Sequence, residues 1–264
     1  MRIDLISDIH LDMFEAFDET FDPDKVFSKQ GSDILLVGGD ICQCIASDKN
    51  DLVDEFFEDV TQRYKHVIFV LGNHDYWNKA IWCDSKSFYF ENMKDKALGR
   101  YPKVHFLSMD TPLYIDGFWF VGDTLWTNPR PHTYSLISKR MNDYRMTLKE
   151  NGEKLTVNDT IKAHKESLLK LGKTLDANKD KPFIVLTHHL PFPNKRYIGD
   201  PTSDAYSTDL SNFILLHPNI KLWGCGHDHS GMDENVLDCR IVSNPHGYYM
   251  YEDTKYKTVK TYEV

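Results

Sequence analysis

The 264-residue chain carries 31 Lys and Arg against 40 Asp and Glu, a formal net charge of −9, with 41% hydrophobic and 13% aromatic residues. That apolar content suffices for a substantial core and excludes a disordered chain. The acidic balance argues against a nucleic-acid binder, whose usual footprint is a basic stripe. The length suits a single α/β domain spanning residues 1–264.

The first strand predicted is RIDLIS (2–7), and MRIDLISDIH enters it without the pattern of a signal peptide. DILLVGG (33–39) is the second. Residues 48–65 place Leu52, Phe56, Val60 and Tyr64 four apart, which predicts an amphipathic helix. HVIFVLG (66–72) is a third strand, and VHFL, PLYID and FWFVG within 104–122 are three short ones, with Asp116-Gly117 as a hairpin turn. Residues 127–155 are irregular. Thr156 and Asp159 form a capping pattern before a helix with Ile161, Leu168, Leu171 and Leu175 on one face. FIVLT (183–187), NIKLWG, CRIVS and YYMYED are the later strands. No apolar run approaches the roughly 20 residues that cross a bilayer. The five cysteines (Cys42, Cys44, Cys83, Cys225 and Cys239) are odd in number and lack framework spacing, which predicts reduced thiols and a cytoplasmic protein.

Five short motifs each follow an apolar run: Asp8-Ile9-His10, Gly39-Asp40, Gly72-Asn73-His74-Asp75, His188 in THHLP, and Gly226-His227-Asp228-His229. Taken singly they are weak. Gly-Asn-His-Asp also suits a turn, and an isolated histidine is more often structural. Together they place imidazoles, carboxylates and an amide at successive strand ends, the edge where open α/β sheets bind ligands. Those donor types suit divalent metal ions. Alternation along an extended chain points Asp8 and His10 the same way, and His227 and His229 likewise.

In this order and form the motifs resemble those of the calcineurin-like metallophosphoesterases, D-x-H, GD, GNH(E/D), H and GHxH, across the whole chain. The resemblance implies a four-layer α/β/β/α sandwich with two mixed β-sheets and a dimetal site at the strand C-terminal edge. It implies one divalent ion on Asp8, His10, Asp40 and His229 and a second on Asp40, Asn73, His188 and His227, with Asp40 bridging. His74 would be the catalytic histidine that binds no metal. The family's placement of its histidine before the proline selects His188 over His189. Two divalent ions, Asp8, Asp40 and a bridging hydroxide leave about one net positive charge for a phosphate ester, which in-line attack by the hydroxide would hydrolyse. Manganese is the expected ion, with iron, zinc or nickel as alternatives.

The chain also departs from parts of the family. Protein Ser/Thr phosphatases continue GD as GDxVDRG, whereas this chain reads GDICQC, which argues against that branch. Cys42 and Cys44 are expected to pack or to line the site without charge. The retained His74 argues against a metal-dependent binding scaffold. GDTLWTNPRP (122–131), KRMNDYR (139–145) and NPHGY (244–248) resemble small, uncharacterised bacterial and phage members. Candidate substrate contacts are Tyr76, Trp77, Trp126, Arg196 and His246, with Arg130, Arg140 and Arg145 as further phosphate clamps. The expected activity is hydrolysis of phosphate mono- or diesters of small nucleotide-type molecules. A nuclease acting on DNA or RNA is the alternative, disfavoured by the negative charge.

Overall fold

Buried β-branched and leucine-rich runs become the strands of two mixed sheets. The computed structural model describes residues 1–43, 51–77, 81–82, 100–149, 151–197, 199–252 and 255–264, the side chains of residues 51, 81, 82 and 196 excepted. In the first sheet the order is β13 (Lys260–Glu263), β1 (Arg2–Ile6), β2 (Ile34–Val37), β3 (His66–Phe69) and β5 (Val104–Phe106). All its pairs are parallel except β1 with β13. The second sheet runs β11 (Met232–Val236), β12 (Cys239–Ser243), β10 (Ile220–Cys225), β9 (Phe183–Thr187), β7 (Phe118–Asp123) and β6 (Leu113–Ile115), parallel at its centre and antiparallel at both ends. A short parallel pair joins β4 (Ile81–Trp82) to β8 (Leu148–Lys149).

Alternation of side chains along the strands produces four layers. Ile3, Leu5, Ile34, Leu36 and Ile68 of the first sheet meet Phe120, Ile184, Leu186, Leu222 and Val242 of the second in one buried cluster. The opposite face of the first sheet, with Leu35, Val37, Val67 and Phe69, packs on Val53, Phe56, Phe57 and Val60 of the helix Asp51–Arg63. The outer face of the second sheet, with Phe183, Val185, Trp223 and Ile241, packs on Leu171 and Leu175 of the long helix Val157–Ala177 and Ile214 of Ser211–Leu216. The remaining helices among the described residues are Leu11–Ala16, Pro23–Val26, Tyr134–Arg140 and Asp143–Met146, and we number these seven α1 to α7 in chain order. The α/β/β/α sandwich is therefore present. Among the described residues no helix is long and apolar enough to cross a membrane.

Local signals account for much of this. Thr156 caps α6 through a reciprocal pair, its hydroxyl accepting from the Asp159 N–H and its own N–H donating to the Asp159 carboxylate. Asp116 and Gly117 both have positive φ, 47° and 94°, as the tight turn between antiparallel β6 and β7 requires. The described residues of 127–155 break into short pieces gathered on Ile137, which packs with Val157, Ile161 and Ala205. One expected strand is corrected: over its described residues, 248–252, YYMYED is a turn. Met250 has φ 63° and the Glu252 carboxylate accepts the Tyr248 N–H, so the chain reverses there. The additional strands are β11 and β13, which close opposite sheets, and β4 and β8, which form the short parallel pair.

Candidate metal centre

The five motifs converge at the carboxyl ends of β1, β2, β3, β9 and β10. Sharp backbone turns at these ends aim the side chains inward. Asp8, His10, Asp40 and His227 all lie in the left-handed region, with φ of 53°, 50°, 54° and 65°, a conformation that L-residues keep only where the surroundings enforce it. Gly72 is required for space, since a Cβ there would fall 2.1 Å from Asp40 Oδ1.

Asp75 enforces the shape of the two central loops. Its Oδ2 accepts from the backbone N–H groups of Gly72 (2.6 Å) and Asp40 (2.9 Å), and its Oδ1 from Ile41 (3.1 Å) and Cys42 (3.4 Å). Asp40 in turn accepts the His74 N–H at Oδ1, 2.8 Å, leaving Oδ2 to face the cluster. From that oxygen His188 Nε2 lies 3.4 Å away, His74 Nε2 3.9 Å and His10 Nε2 4.0 Å. The Asp8 carboxylate accepts the His227 N–H and faces His229 Nε2 at 3.4 Å. The Nε2 atoms of His10 and His229 are themselves 3.4 Å apart.

Three groups of side chains bring their donor atoms within 4.8 Å of one another: Asp8, His10 and His229; Asp40, His188 and His227; and His10, Asp40 and His74. The first two coincide with the two ligand sets expected from the sequence, apart from the shared Asp40 and the amide of Asn73, whose Oδ1 is 2.8 Å from His188 Nε2. His189 packs against the cluster without joining it, its ring 4.3 Å from that of His227. Its Nδ1 donates to the Thr124 carbonyl and its ring lies against Trp126.

The electrostatics fit divalent cations. Burial and the neighbouring imidazoles hold His10 and His227 well below the ordinary histidine range, so both present neutral nitrogens. His227 Nε2 is buried with no hydrogen-bond partner among the described residues. Burial opposes a charged His188, yet Asp40 overrides it and raises the group to about 9. His229 rises to about 10 against burial, through its hydrogen bonds to Asp8 and Glu252. The protons that these raised values keep on His188 and His229 balance the neighbouring carboxylates, a charge that bound cations would supply instead. Nitrogen and oxygen donors with buried open lone pairs form a set that two divalent ions suit.

A cavity of about 250 Å³ opens on this cluster, and Trp77, Arg140, Tyr197, Tyr206 and Tyr248 form part of its lining with Asp40, Asn73, His74, His227 and His229. Trp77 stacks on His74 with ring centroids 3.4 Å apart, and the Tyr248 hydroxyl is 3.1 Å from His74 Nε2. Of the other candidate substrate contacts, Tyr76 and Trp126 are core residues at the foot of the first sheet's outer face. His246 is buried beside Phe14, because the N–H groups of residues 246 and 247 dock on the carbonyls of Ser7 and Asp8. None of these three lines the cavity. Arg130 pairs with Asp204, and Arg145 binds the Lys139 carbonyl and Asn142. The Arg196 side chain, Cys44 and Cys83 lie outside the described residues. Sequence reasoning gave no role to Asp75, although it named the motif holding it, and passed over Asp143, Tyr248 and Glu252. Asp143 and Tyr248 stand within KRMNDYR and NPHGY, so the segments were noticed while these residues in them were not.

Residues 1–231 match the family described as Metallophos, calcineurin-like phosphoesterase. The uncharacterized protein L509 of Acanthamoeba polyphaga mimivirus is 31% identical over 261 residues, covering 92% of this chain and 90% of its own. Among solved structures, the phosphopantetheinyl hydrolase of Mycobacterium tuberculosis superposes with a TM-score of 0.69 at 16% identity, over 93% of this chain and 89% of that one. The TT1561 protein of Thermus thermophilus gives 0.55 at 17% identity, over 92% and 88%. With the fold, the His/Asp cluster and the family match in agreement, the chain belongs to the calcineurin-like phosphoesterases and is a metal-dependent hydrolase of phosphoesters.

Proposed function

We propose that this enzyme hydrolyses phosphate mono- or diesters of small nucleotide-type molecules. One divalent ion would sit on Asp8, His10, Asp40 and His229, and the other on Asp40, Asn73, His188 and His227. The observation carrying the reading is the cavity itself, whose floor is the His/Asp cluster and whose lining includes the aromatic rings of Trp77, Tyr197, Tyr206 and Tyr248 with Arg140. The Tyr197 and Tyr206 rings stack 5.7 Å apart at 9°, a flat face of the kind that receives a base. Arg140, with no ion pair among the described residues, is available to a phosphate oxygen.

When bound, the two ions supply positive charge against the phosphoryl oxygens and lower the pKa of the attacking water. Manganese is the ion we expect from the mixed nitrogen and oxygen donors. His74 contributes from the protein side. Burial keeps it below the usual histidine range, and its Nε2 faces the cavity beside the Tyr248 hydroxyl, in place to donate to a phosphoryl oxygen or the leaving group. The thiols of Cys225 and Cys239 are buried and form no disulfide, which suits the cytoplasm.

The test compares a chromogenic phosphodiester and monoester with Mn²⁺ present. His74→Ala should keep both metals and lose about 10²–10⁴-fold in turnover, whereas Asp40→Ala should lose metal and turnover together. A wild-type enzyme inert with Mn²⁺, Ni²⁺, Fe²⁺ and Zn²⁺ would overturn the reading. A panel of mononucleotides, cyclic nucleotides, dinucleotides, phosphopantetheinyl esters and oligonucleotides then separates the small-molecule reading from the nuclease alternative.

A further inference from the structure

Asp143, the first residue of α5, lies outside all five motifs yet is fully enclosed beside the metal cluster. Its Oδ1 is 2.8 Å from Trp77 Nε1 and 2.7 Å from the side-chain amide of Asn73. An indole N–H can only donate, so Asp143 Oδ1 is an acceptor. The Asn73 atom beside the same oxygen is therefore its NH₂ group. That fixes the amide the other way round at its far end, where Oδ1 points to His188 Nε2 at 2.8 Å. A flipped amide would turn NH₂ toward the cations' place, and an amide nitrogen does not serve as a metal ligand there. The same carboxylate oxygen also pins the Trp77 indole, which stacks on His74 at 3.4 Å and 25°.

We propose that Asp143 is a positioning residue: it sets the Asn73 amide with its oxygen toward the metal site and, through Trp77, holds the plane of His74. This rests on the assignment of Asn73 as a ligand. The irregular segment 127–155 thus completes the metal centre from outside the motifs that carry the ligands.

The test titrates purified, metal-stripped protein with Mn²⁺ and reads the affinity of each site, independently of turnover. Asp143→Ala should weaken one of the two sites by about 10–100-fold, as loss of a partner behind a ligand typically does, and Asp143→Asn, which keeps an oxygen able to accept both N–H groups, should stay within about threefold of wild type. Trp77→Phe should leave both affinities unchanged while lowering kcat. In an Asn73→Ala background Asp143→Ala should have no further effect on metal affinity, because the two act through one contact. Additive losses in that cycle would overturn the proposal, as would a more than tenfold loss in Asp143→Asn, a readout that stands even if Asp143→Ala does not fold. Should Asn73→Ala itself bind both ions as wild type does, the ligand assignment fails. An impaired Asn73→Ala beside an unaffected Asp143→Ala refutes the positioning role alone.

Discussion

The loops carrying Asp40 and Asn73 hang on one carboxylate, and replacing Asp75 by Asn tests how much depends on it. Each Asp75 oxygen accepts two backbone N–H groups, Gly72 and Asp40 at Oδ2, Ile41 and Cys42 at Oδ1. An amide in the same place keeps one oxygen and turns the other position into a donor. Whichever way it is set, two buried N–H groups then face an NH₂. A buried donor left without its acceptor costs ~1–3 kcal/mol, so Asp75→Asn should destabilise the fold by ~2–6 kcal/mol. For a chain of this length that lowers Tm by on the order of 10 °C. Asp75→Ala opens room for water to accept from the same donors and should cost no more than Asp75→Asn, although it removes more atoms. The assay is denaturant and thermal unfolding in excess chelator, so that bound metal does not mask the loss. An Asp75→Asn protein within about 1 kcal/mol of wild type would refute the reasoning. So would an alanine variant clearly less stable than the asparagine one, since volume rather than hydrogen bonding would then govern.

Three further outcomes follow from other contacts. His164 Nδ1 donates to the carbonyls of Leu125 and Trp126, and burial lowers its pKa below 6.5. The unfolded chain therefore binds that proton first, and the stability His164 contributes is complete above about pH 6.5 and lost as pH falls. Between pH 7.5 and 5.5 the stability gap between wild type and His164→Gln should narrow by up to ~1.4 kcal/mol, and a constant gap in urea titrations would refute this. Thr156→Ala removes one half of the reciprocal cap on α6 and should cost about 1 kcal/mol in unfolding experiments with kcat unchanged. Arg140→Ala should raise KM by about 10–100-fold, the worth of a charge-assisted hydrogen bond, with metal affinity intact; an unchanged KM across the substrate panel would remove Arg140 from the site.

The elements legible in the sequence are those whose side-chain pattern has a single cause. In β1, β2, β3 and β9 nearly every residue is buried between layers, so the run of apolar residues is the strand. In α3 and α6 one face meets a sheet and the other meets solvent, which leaves a helical period. YYMYED misleads because its aromatic residues answer to different neighbours across a turn. Tyr248 faces His74 in the cavity, Tyr249 stacks on Phe14, and Tyr251 meets Phe17. The edge strands β11 and β13 escape for the opposite reason. Of MDENV and KTYE only Met232 and Tyr262 are buried, so hydrophobic patterning has almost nothing to register.

The same distinction divides the site. Imidazoles and carboxylates immediately after apolar runs announce metal chemistry by residue type alone, and the fold brings them to one edge. Asp143 and Glu252 are ordinary acidic residues in a chain with 40 of them, and only their contacts set them apart. Asp143 bonds Asn73 and Trp77. Glu252 accepts from His229 Nδ1 and from the Tyr248 N–H, so it orients a cluster histidine and the tyrosine beside His74 together. Both stand in irregular segments that also line the cavity, one supplying Arg140 and the other Tyr248. Reaction chemistry is thus written in the strand-end motifs, while the shape offered to a substrate is written in segments without a periodic pattern.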